Sequence, residues 1–402
     1  MRLPALLVTA ALVVGTAVYG ADRLRSPGAE AQATVPVPAA AQETPPVIPP
    51  TPPVTPPPTE LPPMEEPAPP PAPEPEPAPT PLPASARVGG IRHEYQRLNN
   101  CGPVTVGMAL SRWGSTLNQY DIAPRLKPTA GDVNVSPDEL AAYARSQGMD
   151  AHLARGGDRP LLKRLLAAGF PVVVETWFVT GDDGGMGHYR LLTGYDDASQ
   201  SFSALDSYLG PLTMPYGRFD ELWRSFGRTF LVVSPPERQT ELRELLDFRA
   251  DGKQAQQEVL RVALAEAERR GDPVGWLNLG HAKLSVGDAR GAARAFDQAL
   301  AAQPDPSLDP TRPARVVGGL PWRALWYSFG PLEAYVRTGR YADVLRLTGN
   351  VLRDAPAHEE AYYWRGRALA GLGRTAEAQA AYREALRLRP GYAAARAELS
   401  RV

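Results

Sequence analysis

Proline is concentrated in one part of the sequence, where residues 27–86 hold 24 of the 44 prolines in 402 residues. A typical stretch reads PAPPPAPEPEPAPTPLP. Proline lacks a backbone N–H and its ring fixes φ, so this segment favours extended polyproline-II chain over helix or sheet. We therefore predict a disordered linker over 27–86, either a simple spacer or a PxxP ligand for a partner domain.

The N-terminal residues 1–26 have the pattern of an export signal. One arginine precedes an apolar stretch over 3–21, and charged residues end it. A stretch of about nineteen apolar residues is long enough to span a bilayer, whereas the small residues Gly20 and Ala21 would also suit a cleavage site. The segment is thus a signal peptide or a membrane anchor. Either outcome predicts an extracytoplasmic protein, secreted or anchored in the cytoplasmic membrane and facing outward.

A folded region begins near Arg87, and the order of its elements indicates its class. Predicted helices lie at 103–114, 137–147, 161–169 and 219–226. Predicted strands lie at 171–179, 188–196, 202–207 and 228–234. Helices come first and strands later, which is typical of an α+β domain and not of alternating βαβ units. We assign this domain to residues 87–236.

Residues 237–402 lack strand patterns and contain an internal repeat. When Gly287 is aligned with Gly373, four further positions of the two copies carry the same or a similar residue. These aligned pairs are Ala292 and Ala378, Phe296 and Tyr382, Ala299 and Ala385, and Pro304 and Pro390. A weaker middle copy precedes the last by 34 residues, from Gly339 to Gly373. The pattern resembles tetratricopeptide repeats, which implies an all-α solenoid whose concave surface binds a protein partner.

Charge and cysteine content narrow the function classes. The net charge is −1 and no long basic run is present, so nothing indicates nucleic-acid binding. Cys101 is the only cysteine, although structural cysteines in exported proteins usually come in pairs. It is therefore either an inert buried residue or a thiol retained for chemistry.

The residues after Cys101 favour chemistry. Gly102 and Pro103 follow it, and then a helix-forming run begins; proline is favoured at the first position of a helix. A thiol at a helix N-terminus meets free N–H groups and the positive end of the helix dipole, which stabilise a thiolate. We expect Cys101 to be a nucleophile at such a position.

A thiolate nucleophile also needs a base, an orienting group and an oxyanion donor. His188 follows the glycine-rich TGDDGGMG, predicted to be a loop, and opens a predicted strand. The other histidines lie on apparent loops, edges or repeat helices. Asp206 ends the next strand, where a hairpin would bring it to His188. Gln96, five residues before Cys101, is the predicted side-chain donor to the oxyanion.

No cofactor or metal is predicted. Asp182 and Asp183 lie in a glycine-rich loop, where two carboxylates usually form a solvated turn. Histidine and cysteine show no spacing typical of zinc ligands.

Three stretches carry a resemblance to a known family. HEYQRLNNCGPVTVGMALSRWG, GHYRLLTGYDD and the strand ending at Asp206 resemble the C39-like branch of papain-like cysteine peptidases over 88–235. The resemblance implies catalytic Cys101, His188 and Asp206, with Gln96 in the oxyanion hole. The family usually has Asp-Pro where this sequence has Asp206-Ser207.

The sequence thus predicts a thiol hydrolase that cleaves peptide or amide bonds, with repeats that bind a protein substrate or partner. Two other functions stay open. An acyltransferase would use the same thiol machinery with an amine in place of water. A non-catalytic cell-envelope scaffold would use the repeats alone.

Overall fold

The computed structural model describes residues 81–129, 131–132, 134–180, 184–309 and 318–402. The predicted export signal at 1–26 lies outside these residues, as do almost all of the predicted linker and the pair Asp182 and Asp183. Within the described residues, no helix is both long and apolar enough to cross a bilayer.

The described residues before 236 contain seven strands that form one antiparallel sheet. The strands are β1 (Ser85–Arg87), β2 (Asp150–Ala154), β3 (Val172–Thr180), β4 (Gly184–Asp196), β5 (Ser201–Asp206), β6 (Gly210–Pro215) and β7 (Phe230–Ser234). Their order across the sheet is β2-β7-β3-β4-β5-β6, and β1 pairs with β4. The central strands β3 and β4 are therefore the ones best shielded from solvent.

Helices cover both faces of this sheet. They are α1 (Cys101–Ser111), α2 (Gln119–Leu126), α3 (Pro137–Ser146), α4 (Arg159–Ala167) and α5 (Tyr216–Arg224). Successive side chains of a strand point to opposite faces. Val173 accordingly packs in the core of α1, α2 and α3, whereas Val172 and Val174 pack in the core of α4 and α5. Because both faces are covered, β3 begins with consecutive buried valines, in contrast to the alternating pattern of a half-exposed strand.

Three features differ from the sequence-based expectation. Helix α1 begins at Cys101, two residues earlier than predicted, so Pro103 is its third residue. Strand β4 begins at Gly184, so the segment before His188 is strand and not loop. The glycines serve close packing here: a Cβ on Gly185 would lie 2.1 Å from the Trp177 indole nitrogen. The short strands β1, β2 and β6 and the helix α2 were not predicted.

Beyond residue 236 the described chain is helical. Its α-helices are α6 (Gln239–Leu246), α7 (Gly252–Arg270), α8 (Pro273–Ser285), α9 (Ala289–Ala301), α10 (Ala324–Tyr327), α11 (Gly330–Arg337), α12 (Tyr341–Asp354), α13 (Glu359–Gly371), α14 (Thr375–Leu388) and α15 (Ala393–Leu399). The repeated small residues allow paired helices to approach each other. A Cβ on Gly280 would lie 2.3 Å from the Phe296 ring, and one on Gly366 would lie 2.5 Å from the Tyr382 ring.

The helical region and the sheet share one compact unit, Pro77–Val402. Val274 of α8 and Leu308 belong to the same apolar core as β3. The indole N–H of Trp177, on β3, donates to the Leu308 carbonyl at 2.6 Å. The Asn134 amide donates to the Trp326 carbonyl at 3.2 Å. The repeats therefore pack directly against the end of the β3–β4 hairpin.

Candidate active site

Cys101 is the first residue of α1 and is half-buried. The N-cap residue Asn100 makes no side-chain capping bond within the described chain, which leaves first-turn N–H groups beside the thiol. The preceding residue, Asn99, has φ of 56°, a left-handed conformation. The Lys127 ammonium holds this turn by donating to the Asn99 carbonyl at 2.7 Å and to the Asn100 amide oxygen at 3.1 Å. The turn thus presents Cys101 with a cation nearby.

His188 and Asp206 meet across strands β4 and β5. Asp206 is directly opposite Arg190 in the sheet register, so His188 is its diagonal neighbour. The His188 Nε2 atom lies 3.0 Å from Asp206 Oδ1, and both side chains are almost fully buried. The His188 ring also acts on the Cys101 thiol, since each side chain shifts the pKa of the other. Because Nε2 faces Asp206, Nδ1 is the nitrogen available to the thiol.

The pKa shifts of Cys101 and His188 both favour the charged forms of these side chains. Burial raises the pKa of the Cys101 thiol, but the interaction with His188 and the N–H groups of Gly102 and Tyr189 outweigh it, so the net pKa falls. For His188, burial lowers the pKa, and the interactions with Asp206 and Cys101 more than reverse this. Both shifts make proton transfer from sulfur to the ring more favourable than it is between the free side chains.

Asp206 is held in its charged form by several donors. Its Oδ1 also accepts from the N–H groups of Tyr208 and Leu209, at 2.7 and 2.9 Å. Its Oδ2 accepts from Arg190 Nε at 2.8 Å, and both side chains are buried. Burial raises the pKa of Asp206, but His188, Arg190 and the backbone donors lower it well below its usual range. Arg190 in turn donates to the hydroxyl of Thr176.

Gln96 lies beside the residue that follows Asp206. Its side-chain oxygen accepts from the Ser207 hydroxyl at 2.7 Å, and its backbone N–H donates to the Ser207 carbonyl at 2.7 Å. With the oxygen engaged in this way, the amide nitrogen is the free donor of the side chain. The structure thus brings Cys101, His188 and Asp206 into one connected network and ties Gln96 to its end.

The geometry agrees with what comparisons with known proteins found. Residues 88–230 match the Peptidase_C39 like family. Residues 277–308 and 359–392 match tetratricopeptide repeats. The chain contains a C39-like peptidase domain followed by tetratricopeptide repeats. The predicted middle repeat, helices α11 and α12, falls between the two matched segments.

Solved structures resemble each part separately. A C39-like peptidase from Bacillus anthracis covers 37% of this chain and 96% of its own, at 17% identity and a TM-score of 0.31. The peptidase domain of Streptococcus ComA covers 37% and 99%, at 16% identity and a TM-score of 0.31. MamA from Desulfovibrio magneticus RS-1 covers 40% and 80%, at 23% identity and a TM-score of 0.29. A comparison with curated proteins found no match.

Gln119 organises the loop that leads into Cys101 of the C39-like domain, and sequence reasoning missed it. This buried side chain accepts from the Arg97 N–H at 2.7 Å and from the Asn100 amide at 3.1 Å. It donates to the Glu94 carboxylate at 2.8 Å and to the Tyr95 carbonyl at 2.9 Å. Four bonds from one side chain fix the loop on both sides of Gln96. In the sequence, the only signal is its place at the start of a capped helix.

Arg190 and Thr176 were also missed, although a signal for Arg190 existed. Residues two apart on a strand share a face, so Arg190 is on the His188 side of β4. A buried arginine there requires a buried carboxylate, and Asp206 supplies it.

The repeats contribute to the surroundings of the C39-like site. A Cβ on Gly187, the residue before His188, would lie 3.1 Å from the Tyr327 ring of α10. Glu175 is buried on β3, where desolvation raises its pKa to about 8. The segment around α10 therefore covers the interior side of strand β4, which carries His188.

The outer side of the C39-like site is apolar and exposed. Exposed large hydrophobic residues lie beside Gln96 and Asp206 in the sequence, and one more lies on α2. They are Tyr95 and Leu98, Tyr208 and Leu209, and Tyr120. The Tyr120 hydroxyl accepts from Arg97, and a Cβ on Gly210 would lie 2.7 Å from the Tyr95 hydroxyl, so these segments are neighbours. We call these five residues the apolar rim.

Proposed function

We propose that this protein is an extracytoplasmic thiol peptidase that hydrolyses amide bonds in a peptide or protein substrate. The observation that carries the proposal is the order of three groups: Cys101 at the start of α1, the His188 ring that shifts its pKa, and Asp206 hydrogen-bonded to Nε2 of that ring. A histidine with a purely structural role does not need a thiol on one side of its ring and a carboxylate on the other.

The chemistry follows from the roles these groups can take. His188 accepts the thiol proton, and the Cys101 sulfur attacks the substrate carbonyl carbon. The oxyanion formed is stabilised by the Gln96 amide and the Cys101 backbone N–H. The C–N bond then breaks as His188 protonates the leaving amine. Water, deprotonated by His188, attacks the thioester and releases the acid and the free thiol.

The substrate class follows from the surface around the site. The apolar rim offers exposed aromatic and aliphatic side chains on both sides of Gln96, which suits an extended peptide with large apolar residues. The repeats supply a second binding surface, and a folded protein with an accessible apolar segment can use both. Tyr208→Ser should therefore raise KM for such peptides and leave kcat close to the native value.

Rate measurements with a peptide-derived electrophile test the proposal. The native protein should be labelled at Cys101 at neutral pH, and His188→Ala should slow labelling by about 10²–10⁴-fold. His152→Ala is the matched control, since His152 lies on β2, three strands away from β4 in the same sheet. Native labelling no faster than that of a free thiol would contradict the peptidase and favour a scaffold that acts through its repeats.

Two further measurements address the open parts of the proposal. An added amine that appears in the product in place of hydroxide would identify an acyltransferase that uses the same residues. The N-terminal residue of the mature protein, with its cellular fraction, tests the proposed location and decides between a cleaved signal and a retained anchor.

A further inference from the structure

Three carboxylates converge where the C39-like domain meets the last repeat. Glu139 lies in the first turn of α3, and Glu359 and Glu360 lie in the first turn of α13. All three are more than nine-tenths buried, at 7%, 1% and 3% exposure. One oxygen of each lies within 4.8 Å of the others. We call these residues the carboxylate cluster.

Most of the oxygens that α13 contributes lack hydrogen-bond donors. Within the described chain, Glu359 Oε1 and both oxygens of Glu360 are buried with no hydrogen-bond partner. A buried carboxylate without partners is strongly unfavourable, because it has lost its water and gained nothing in return. Proteins resolve this by pairing, by protonation or by binding a metal.

The cationic groups nearby do not balance the cluster. Arg389 Nε lies 3.0 Å from Glu139 Oε1, and its Nη1 lies 3.6 Å from Glu360 Oε1. His358 Nδ1 lies 3.3 Å from Glu360 Oε2, but this nitrogen accepts from the Ala361 N–H while Nε2 faces the Trp326 carbonyl, so the ring is neutral. When all three carboxylates are ionised (−3), the single guanidinium (+1) leaves a charge of −2.

Asp132, a fourth carboxylate, also acts on Glu359, and the Lys127 ammonium lies beside Asp132. The charges of Asp132 and Lys127 offset each other, so the groups of the cluster itself set its charge. With its carboxylates ionised, and with no hydrogen-bond donor among the described residues on Glu359 Oε1 or on either oxygen of Glu360, the cluster is an unfavourable arrangement unless a cation binds.

We propose that Glu139, Glu359 and Glu360 bind one Ca²⁺ ion that links the C39-like domain to the repeats. Carboxylate oxygens are the ligands of hard cations, and a divalent ion cancels the residual charge of −2. Ca–O bonds of about 2.3–2.6 Å allow oxygens that lie within 4.8 Å of one another to share one ion. Mg²⁺ prefers to keep several waters, which a buried cluster of protein oxygens does not favour.

The ion would act on two elements that matter to the site. Helix α3 directly follows Val135, whose carbonyl accepts from the Tyr189 hydroxyl at 2.8 Å. Tyr189 is the residue after His188. Bound Ca²⁺ therefore holds α13 to α3, and through α3 it supports the strand that carries His188. Binding itself depends only on the cluster and is independent of whether the protein is a peptidase.

Calorimetry on the full chain tests this directly. After treatment with EDTA and its removal, titration with CaCl₂ at pH 7.5 should show one site with a dissociation constant of about 10⁻⁴ M or tighter. The thermal unfolding midpoint should rise by several degrees in millimolar Ca²⁺ and by much less in Mg²⁺. No heat and no shift in the native chain would overturn the proposal.

Variants identify the ligands. Glu359→Gln with Glu360→Gln should abolish the Ca²⁺ response, while the calcium-free protein becomes no less stable because repulsion is removed. Glu139→Gln should weaken Ca²⁺ binding about tenfold or more, yet glutamine preserves the capping box with Ser136. Glu377→Gln, an exposed residue of α14, is the matched control and should bind like the native chain.

Protonation is the competing explanation, and it gives a different result. If the carboxylates are simply held protonated, the native chain will ignore Ca²⁺, and its unfolding midpoint will rise as pH falls from 8 to 6. That result would overturn the proposal. A double variant that still binds Ca²⁺ with native affinity would overturn it equally.

Discussion

The buried pair of Asp206 and Arg190 gives a prediction in which stability and catalysis separate. In Asp206→Asn, the new amide oxygen can still accept from His188 Nε2 and from the N–H groups of Tyr208 and Leu209. The loss is confined to the other side, where an NH₂ group would face the Arg190 N–H in place of a carboxylate oxygen now at 2.8 Å. Two donors would then meet, and the guanidinium would be left buried without its counter-charge.

The expected magnitude follows from burial. The two side chains are 0% and 4% exposed, so water cannot replace the lost partner. Removing one member of a buried pair costs about 3–5 kcal/mol, and Asp206→Asn should lower the free energy of unfolding by that amount. Arg190→Met alone should cost a similar amount. The double variant removes both charges and should cost far less than the sum, with a coupling of about 3 kcal/mol.

Urea unfolding of the full chain at pH 7.5, monitored by tryptophan fluorescence, measures these free energies. Labelling of Cys101 provides the second readout. The double variant should recover stability but not the native labelling rate, because the negative charge that favours the imidazolium of His188 is absent. A single-variant cost below about 1 kcal/mol, or additive costs in the double variant, would refute the reasoning about the buried pair.

Three further predictions concern other parts of the molecule. Ser207→Ala removes the hydroxyl that holds the Gln96 side chain and should lower kcat while leaving KM nearly unchanged. An equal loss of the Cys101 labelling rate in an assay without substrate would contradict a role of Gln96 at the oxyanion. Gly366→Ala places a methyl group against the Tyr382 ring and should lower the free energy of unfolding in urea by about 1–3 kcal/mol. Gly349→Ala meets nothing within 4 Å and should raise the free energy of unfolding by up to about 1 kcal/mol. Because the thiol pKa of Cys101 is lowered, alkylation should persist below pH 8.5, where a free thiol loses its thiolate. A pH profile with its midpoint at about 8.5 would contradict the interaction between His188 and the thiol.

Local signals in the sequence were sufficient to predict the central helix and strand of the fold. The consecutive valines of β3 and the apolar run after Cys101 indicate a buried strand and a buried helix without any tertiary information. The repeated small and aromatic residues indicate the paired helices. Elements whose stability comes from their neighbours were missed: β1 and β6 are short and lie beside stronger strands, and α2 contains Pro124 within its eight residues.

The predicted start of β4, at His188, was wrong for a related reason. Glycine usually marks a turn, so Gly184 to Gly187 indicated a loop. In the structure these residues pair with β3, and the lack of a side chain at Gly185 lets Trp177 and Leu308 lie against the strand. That contact joins residues more than a hundred positions apart, so no local pattern predicts it.

The network around the predicted catalytic residues was only partly predictable. Residue type and spacing predicted that Cys101, His188 and Asp206 lie together, because only a few side-chain types can serve as nucleophile, base or orienting group. The supporting residues Arg190 and Gln119 carry no such signal. Their roles depend on which buried oxygens remain without donors, and only the three-dimensional arrangement specifies that.

The bond between Trp177 and Leu308 has a consequence for synthesis of the protein. The two residues are 131 positions apart, and a ribosome adding about 5–20 residues per second needs roughly 7–26 s to go from one to the other. In the later part of that interval the β3–β4 hairpin and Phe226 have been synthesised, but Leu308 has not. The nascent C39-like domain therefore exposes aromatic side chains transiently, and a chaperone that recognises such side chains should bind most strongly before Leu308 leaves the ribosome.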